Sequence, residues 1–296
     1  MITTIINYCT NDFRFLTVCL QEVVKFSHEV IIPVCDHFFD GIPENRELLI
    51  HTYNHHRSCK FVEFAYEKDG YATYMPVQEG EEGWAHYWHS ISRYIGYQFV
   101  SPTTQYVLFI DVDEVPDGER VLHWLRHFPL HQHHAYRCTA YFYFREARWR
   151  AKTCVRNPLL VQKSALSSHM LLDIYERKGS FWSIAGSKLE DVYGMDGNPL
   201  FHHYSWVKTK EEMLRKVSCW GHHLDRDWHS LIEKEFSAPF RGTDCLYGLH
   251  YDEVIPLCDP LLVTLPQGKT KGTFPHVTFV NPFIVKQGIV QKMLCC

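Results

Sequence analysis

The chain has 296 residues, 46% of them apolar and 15% aromatic, with a formal net charge of −4 at pH 7. That composition excludes global disorder and allows one large α/β domain or two small ones. The small negative charge gives no general reason to bind nucleic acid or an acidic membrane surface.

Taken in order, Ile2 to Cys9 reads as a buried strand. Asp12 to Phe26 is expected to be a helix, with Phe13, Leu16, Leu20, Val23 and Val24 at helical spacing and Thr10 or Asn11 as cap. Val30 to Cys35 is a second strand ending at Asp36, Phe39-Asp40-Gly41 is turn-like, and Glu44 to Tyr53 is helical in pattern. Lys60 to Ala65 is a third strand, and Gly83 to Gln98 a helix striped by Trp84, Trp88, Ile91 and Ile95. Gln105 to Ile110 is a fourth strand that ends in Asp111-Val112-Asp113-Glu114. Strands alternating with helices of this size imply right-handed βαβ units and a mostly parallel sheet, whose ligands lie beyond the carboxyl ends of the strands. After a helix over Glu119 to His127 the pattern changes. Ala135 to Phe144 reads as one long strand, Leu159 to Gln162 and Leu200 to Trp206 as others, and Lys208 to Val217 as a short charged helix. From Asp259 on, Pro260, Pro266, Gly268, Gly272 and Pro275 indicate a loop-rich tail. The expected organisation is a single domain over 1–296, with a nucleotide-binding half to about 118, a site-completing half to 258 and the tail beyond.

The start lacks the basic flank and apolar run of a signal peptide, and no stretch reaches membrane-spanning length. Eleven cysteines without a CxxC pair argue against a structural zinc site and for reduced thiols in a cytosolic protein; Cys295-Cys296 reads as a frayed end.

Asp111 and Asp113 carry the most chemistry. Two carboxylates delivered together to the mouth of a sheet repel, and a hard divalent cation between them would resolve the repulsion. Such an ion, Mn²⁺ or Mg²⁺, is what a nucleotide diphosphate needs to be held and cleaved. Haloacid-dehalogenase-type phosphatases also end a strand in Asp-x-Asp, the first Asp being the nucleophile. In that class the motif ends the first strand of the core, whereas three strand–helix units precede it here, which favours a nucleotide-sugar enzyme. In Phe201-His202-His203-Tyr204 the two histidines face opposite sides of a strand, so only one can be a third ligand, and His203 is favoured.

The segments Asn7-Tyr8-Cys9-Thr10-Asn11-Asp12, Phe39-Asp40-Gly41-Ile42-Pro43-Glu44-Asn45, Trp88-His89-Ser90-Ile91-Ser92-Arg93-Tyr94 and Phe109-Ile110-Asp111-Val112-Asp113-Glu114 resemble family-2-like GT-A glycosyltransferases. So do His202-His203-Tyr204-Ser205-Trp206-Val207-Lys208 and Lys216-Val217-Ser218-Cys219-Trp220-Gly221-His222. The resemblance spans about residues 1 to 250, in a subgroup associated with large DNA viruses and phages, whose setting would be the host cytoplasm. It implies a GT-A fold and metal-dependent transfer of a monosaccharide from a nucleotide diphosphate sugar, UDP- or GDP-linked, to a glycan hydroxyl, with inversion. The Gln-x-x-Arg-Trp box of processive synthases is missing. A non-catalytic sugar-binding relative is the other outcome compatible with these segments.

On this reading Asp111, Asp113 and His203 hold the metal, and Asn7, Tyr8 and Asp36 meet the nucleoside. His86, His89 and Arg93 share a helix face, from which Arg93 reaches a phosphate or the sugar. Lys208, Lys216 and His222 offset the charge of the leaving diphosphate. Asp191 is the expected base, with Glu190 beside it and Asp196 as competitor. Trp182 is the expected stacking platform for the acceptor.

Overall fold

The computed structural model describes residues 1–66, 84–173, 175–220, 222–266 and 276–280, with the side chains of 84–86 excepted. The expectations for Gly83, His86, Gly268, Gly272, Pro275 and Cys295-Cys296, and for the Trp84 side chain, lie outside this set.

The front half alternates as expected: β1 (Ile2–Asn7), α1 (Phe13–Val23), β2 (Glu29–Cys35), α2 (Arg46–His55), β3 (Lys60–Phe64), α3 (Trp84–Gln98) and β4 (Tyr106–Asp111). Then follow β5 (Glu114–Pro116), α4 (Gly118–His127), β6 (Ala135–Cys138), β7 (Ala140–Phe144), β8 (Glu146–Val155) and β9 (Leu159–Gln162). The remainder comprises α5 (Glu176–Ser183), β10 (Lys188–Val192), β11 (Phe201–Trp206), α6 (Lys210–Ser218), α7 (Trp228–Phe236), β12 (Tyr251–Glu253) and β13 (Val277–Val280).

Eight strands form the main sheet in the order β10-β6-β9-β4-β1-β2-β3-β13. All neighbours are parallel except β9, which runs antiparallel to both β4 and β6. The period-2 alternation of the strands sorts its core into two layers. Ile2, Ile6, Ile32, Val34, Leu108 and Ile110 pack under α1, α2 and α4 on one face. Ile5, Ile31, Val62, Val107 and Phe109 meet Trp88, Ile91 and Ile95 of α3 on the other. Gly96 lets α3 approach closely, because a Cβ there would stand 2.9 Å from the Ile5 side chain. The α/β class and the mostly parallel, helix-flanked sheet expected of a GT-A domain are therefore present.

Several boundaries differ for identifiable reasons. Arg46, not Glu44, begins the second helix, capped by Asn45, whose side chain accepts from Leu48 N. Neither Thr10 nor Asn11 caps α1; both belong to a 3₁₀ turn over Thr10–Asp12 that precedes it. The expected long strand over Ala135 to Phe144 is two strands in two sheets. Thr139 breaks it: its N–H and hydroxyl both donate to Val192 O, while its own carbonyl accepts from Leu200 and Phe201. The second half of that run joins a five-stranded sheet in the order β12-β8-β7-β11-β5. Lys208 is not helical; Thr209 and Glu212 form a capping box that starts α6 at Lys210. The tail is not all loop, because Val277–Val280 adds a parallel strand to β3. No described helix is long and apolar enough to cross a membrane. The described cysteines form no disulfide.

Candidate active site

The carboxyl ends of β1, β2 and β4 open into a cavity of about 650 Å³ that the second sheet closes from the other side. Two short backbone pairings bring its central groups together. Asn7 pairs with Asp111 across β1 and β4, and Val112 N donates to Asn7 O at 3.0 Å. The chain then turns back as β5, which runs antiparallel to β11 with Glu114 opposite His203, and Tyr204 N donates to Asp113 O at 2.8 Å. The Asp-Val-Asp turn is thus held from both sheets.

Asp113 is 4% exposed, and its Oδ1 has no hydrogen-bond partner among the described residues. His203 Nε2 stands 3.7 Å from that oxygen, and Lys216 Nζ is 3.9 Å from Oδ2. Asn157 reaches His203 Nδ1 at 3.3 Å. With its amide oxygen turned to that nitrogen it would fix the tautomer that leaves Nε2 as a ligand. An orphaned buried carboxylate oxygen beside an imidazole nitrogen is a donor set that fits a divalent ion.

Asp111 is placed differently. Its Oδ2 accepts from Arg177 Nη2 at 2.8 Å and its Oδ1 from Arg93 Nη2 at 3.4 Å. Burial alone would push its carboxyl up, but Arg177, Arg93 and His89 together hold it below the ordinary carboxylate value. Asp111, Asp113 and His203 all line the cavity, but the described contacts set only Asp113 and His203 beside each other. Asp111 has its cations in two guanidinium groups, and no set of three or more His, Cys, Asp or Glu side chains among the described residues has metal-holding geometry. Arg93 does not line the cavity; it is 1% exposed and also donates at 3.0 Å to Glu176, which does.

Of the two histidines, His203 lines the cavity while His202 is turned away onto Tyr143 and Tyr204. Burial drops the His202 pKa to about 4, so it is a neutral partner for the Tyr143 hydroxyl at 2.7 Å. Lys208, Lys216 and His222 all line the cavity. Lys208 is buried and paired with Asp12; burial opposes its charge, yet Asp12 and Asp113 hold its pKa above the usual lysine value. Asn7 and Tyr8 line the cavity as expected. Asp36 does not, since its carboxylate accepts from Tyr66 N and contacts the His37 ring, both at 2.7 Å.

The proposed bases and platform fall outside the cavity lining. Glu190 is paired with Arg137 and Asp191 with Arg156, and the arginines, not the carboxylates, face the cavity. Asp196 accepts from Asn198 and Arg120 at a turn, which brings its carboxyl down to about 2. Trp182 is 55% exposed beside Lys188, whereas Trp206 and Trp220 line the cavity.

Several lining residues escaped sequence reasoning, Arg137, Arg156, Arg177 and Lys178 among them, and with them two carboxylates. Glu44 accepts from Thr10 N and from the Thr10 hydroxyl, and burial pushes its pKa to about 7. Glu176 opens α5 with φ of 53°, a left-handed conformation unusual for a residue with a side chain. Neither position carries a pattern a single sequence exposes; both depend on contacts across the fold.

No protein-family model and no curated protein matches the chain. Among solved structures it is similar to Rv0371c from Mycobacterium tuberculosis H37Rv, at 11% identity and TM-score 0.37 over 67% of this chain and 95% of that one. It is also similar to a glycosyltransferase involved in glycosylation of the major capsid of PBCV-1, at 14% identity and TM-score 0.36 over 71% and 96%. A third is glucosyl-3-phosphoglycerate synthase from M. tuberculosis, in complex with Mn²⁺, UDP and phosphoglyceric acid, at 13% identity and TM-score 0.33 over 64% and 68%. These likenesses are too distant to carry residue roles or activity to this chain.

Proposed function

We propose that the protein is a GT-A-type glycosyltransferase, moving a monosaccharide from a UDP- or GDP-linked sugar to a hydroxyl of a glycan acceptor with Mn²⁺ or Mg²⁺. One observation carries the reading: Asp113 Oδ1, buried and unpartnered among the described residues, lies 3.7 Å from His203 Nε2 at the carboxyl end of a parallel sheet. An ion held by Asp113 and His203 would neutralise charge on the leaving diphosphate.

The chain's own residues supply the rest. Asn7 and Tyr8, at the end of β1, fit a nucleoside. Lys208, whose charge Asp12 and Asp113 support, and Lys216, 3.9 Å from Asp113, stabilise the diphosphate as negative charge develops on it. Glu176 lines the same cavity and is the base we favour over Asp191, Glu190 and Asp196. It takes the proton of the acceptor hydroxyl while that oxygen bonds the anomeric carbon. The bond from that carbon to the phosphate oxygen breaks with its electron pair leaving on the diphosphate, and attack from the opposite face inverts the centre. The arginines on both Asp111 oxygens disfavour a phosphatase in which Asp111 is the nucleophile.

Thermal unfolding with UDP and GDP, each with and without Mn²⁺, tests the reading. A ligand at one hundred times its Kd stabilises by about 2.7 kcal/mol, and the gain should require metal. Asp113→Asn should remove the metal-dependent part and abolish donor turnover. Full turnover in excess chelator would overturn the metal role, and metal-dependent binding without turnover would leave a binding protein.

A further inference from the structure

The cavity wall near His203 is lined by guanidinium groups whose counter-charges stand outside it. Arg137 on β6 donates through Nη1 to Glu190 and through Nη2 to the carbonyl of Arg156 at 2.7 Å. Arg156, just past β8, donates through Nε to Asp191. Both arginines line the cavity; neither carboxylate does. Asp191 reaches Arg156 from a left-handed residue, φ 58°, at a register shift in β10. Bulges of this kind re-aim side chains. With Nε occupied, the Nη1 and Nη2 groups of Arg156 carry no hydrogen bond among the described residues, and the side chain is 51% exposed. Lys178 also lines the cavity, exposed and without an ion-pair partner among the described residues. Burial, with Arg156 and Arg177 nearby, lowers the Arg137 pKa against the pull of Glu190. A wall of like charges held in place by outside carboxylates favours an anion at its inner surface.

We infer that this wall is an acceptor subsite for an anionic group, a carboxylate or phosphate borne by the acceptor, which the free fork of Arg156 grips with Arg137 behind it. Its role as an acceptor subsite rests on the transferase reading above. Glu190 and Asp191 are positioning residues in it: they orient arginines and touch no reacting atom.

The test is titration calorimetry of the full chain with three matched sugars, glucose, glucuronate and glucose 6-phosphate, beside separate titrations with UDP and with GDP, each with Mn²⁺. At least one charged sugar should bind about tenfold or more tightly than glucose, since charge-assisted hydrogen bonds exceed neutral ones by that much. Which one does so names the anion. Arg156→Gln should abolish the preference, and Arg57→Gln, at an exposed site outside the cavity, should keep it. Equal affinity for all three, or binding of none, overturns the subsite. A preference that survives Arg156→Gln also overturns it, because the diphosphate-binding lysines would then be its source. Binding of either nucleotide without a charged-sugar preference sinks the subsite alone; the preference without binding of UDP or GDP sinks the transferase reading alone.

Discussion

Arg177→Met removes the guanidinium that neutralises the base of the Asp-Val-Asp-Glu turn. Arg177 is 7% exposed, and its Nη2 donates to Glu114 Oε1 and Asp111 Oδ2, each at 2.8 Å. Glu114 is fully buried, with Asp111 N as a further donor at 2.9 Å. Methionine fills similar space but leaves that carboxylate without its cation, a loss of about 3–5 kcal/mol for a broken buried pair. Burial already raises the Glu114 pKa despite Arg177, and removing the arginine raises it further. Above the unfolded carboxyl value the unfolded chain has released this proton while the native state keeps it. The variant therefore loses stability as pH rises, by up to about 1.4 kcal/mol per unit until the folded pKa is passed. Urea unfolding at pH 5.5, 7 and 8.5 should show the gap from wild type widening in that order. Adding Glu114→Gln should recover about 1–3 kcal/mol, because the amide still accepts from Asp111 N without a charge. A loss below about 1 kcal/mol at pH 7, or strict additivity in the double variant, would refute the buried-pair account.

Glu176→Gln should lower turnover about 10²- to 10⁴-fold while nucleotide affinity is kept, whereas Asp191→Asn should cost turnover far less. The reverse ranking in steady-state rates would return the base to Asp191. Glu44, with its folded pKa near 7 above the unfolded 4.5, makes stability fall as pH rises between those values, on the order of 1–3 kcal/mol. Glu44→Gln should flatten that slope in unfolding midpoints, and an unchanged slope would assign it to other groups.

The front half was legible because hydrophobic period is local. Strands ending at Asn7, Cys35, Phe64 and Asp111 follow from runs of apolar residues that only a two-faced core can bury. The back half was less so. Thr139 ends β6 through hydrogen bonds to Val192, Leu200 and Phe201, far away in sequence, so nothing around it announced a change of sheet. Lys188 to Val192, which carries Glu190 and Asp191, is an edge strand paired with β6.

By itself the sequence determined the α/β alternation, the delivery of Asp111 and Asp113 to a strand end, and the opposed faces of His202 and His203. Each is a consequence of spacing along one element. Only the tertiary structure decided which charges meet. It set Arg93 and Arg177 against Asp111, left Asp113 Oδ1 facing His203, and paired Glu190 and Asp191 with two cavity arginines. Charge partners are selected by proximity between residues 18 to 90 positions apart, and local pattern holds no record of that distance.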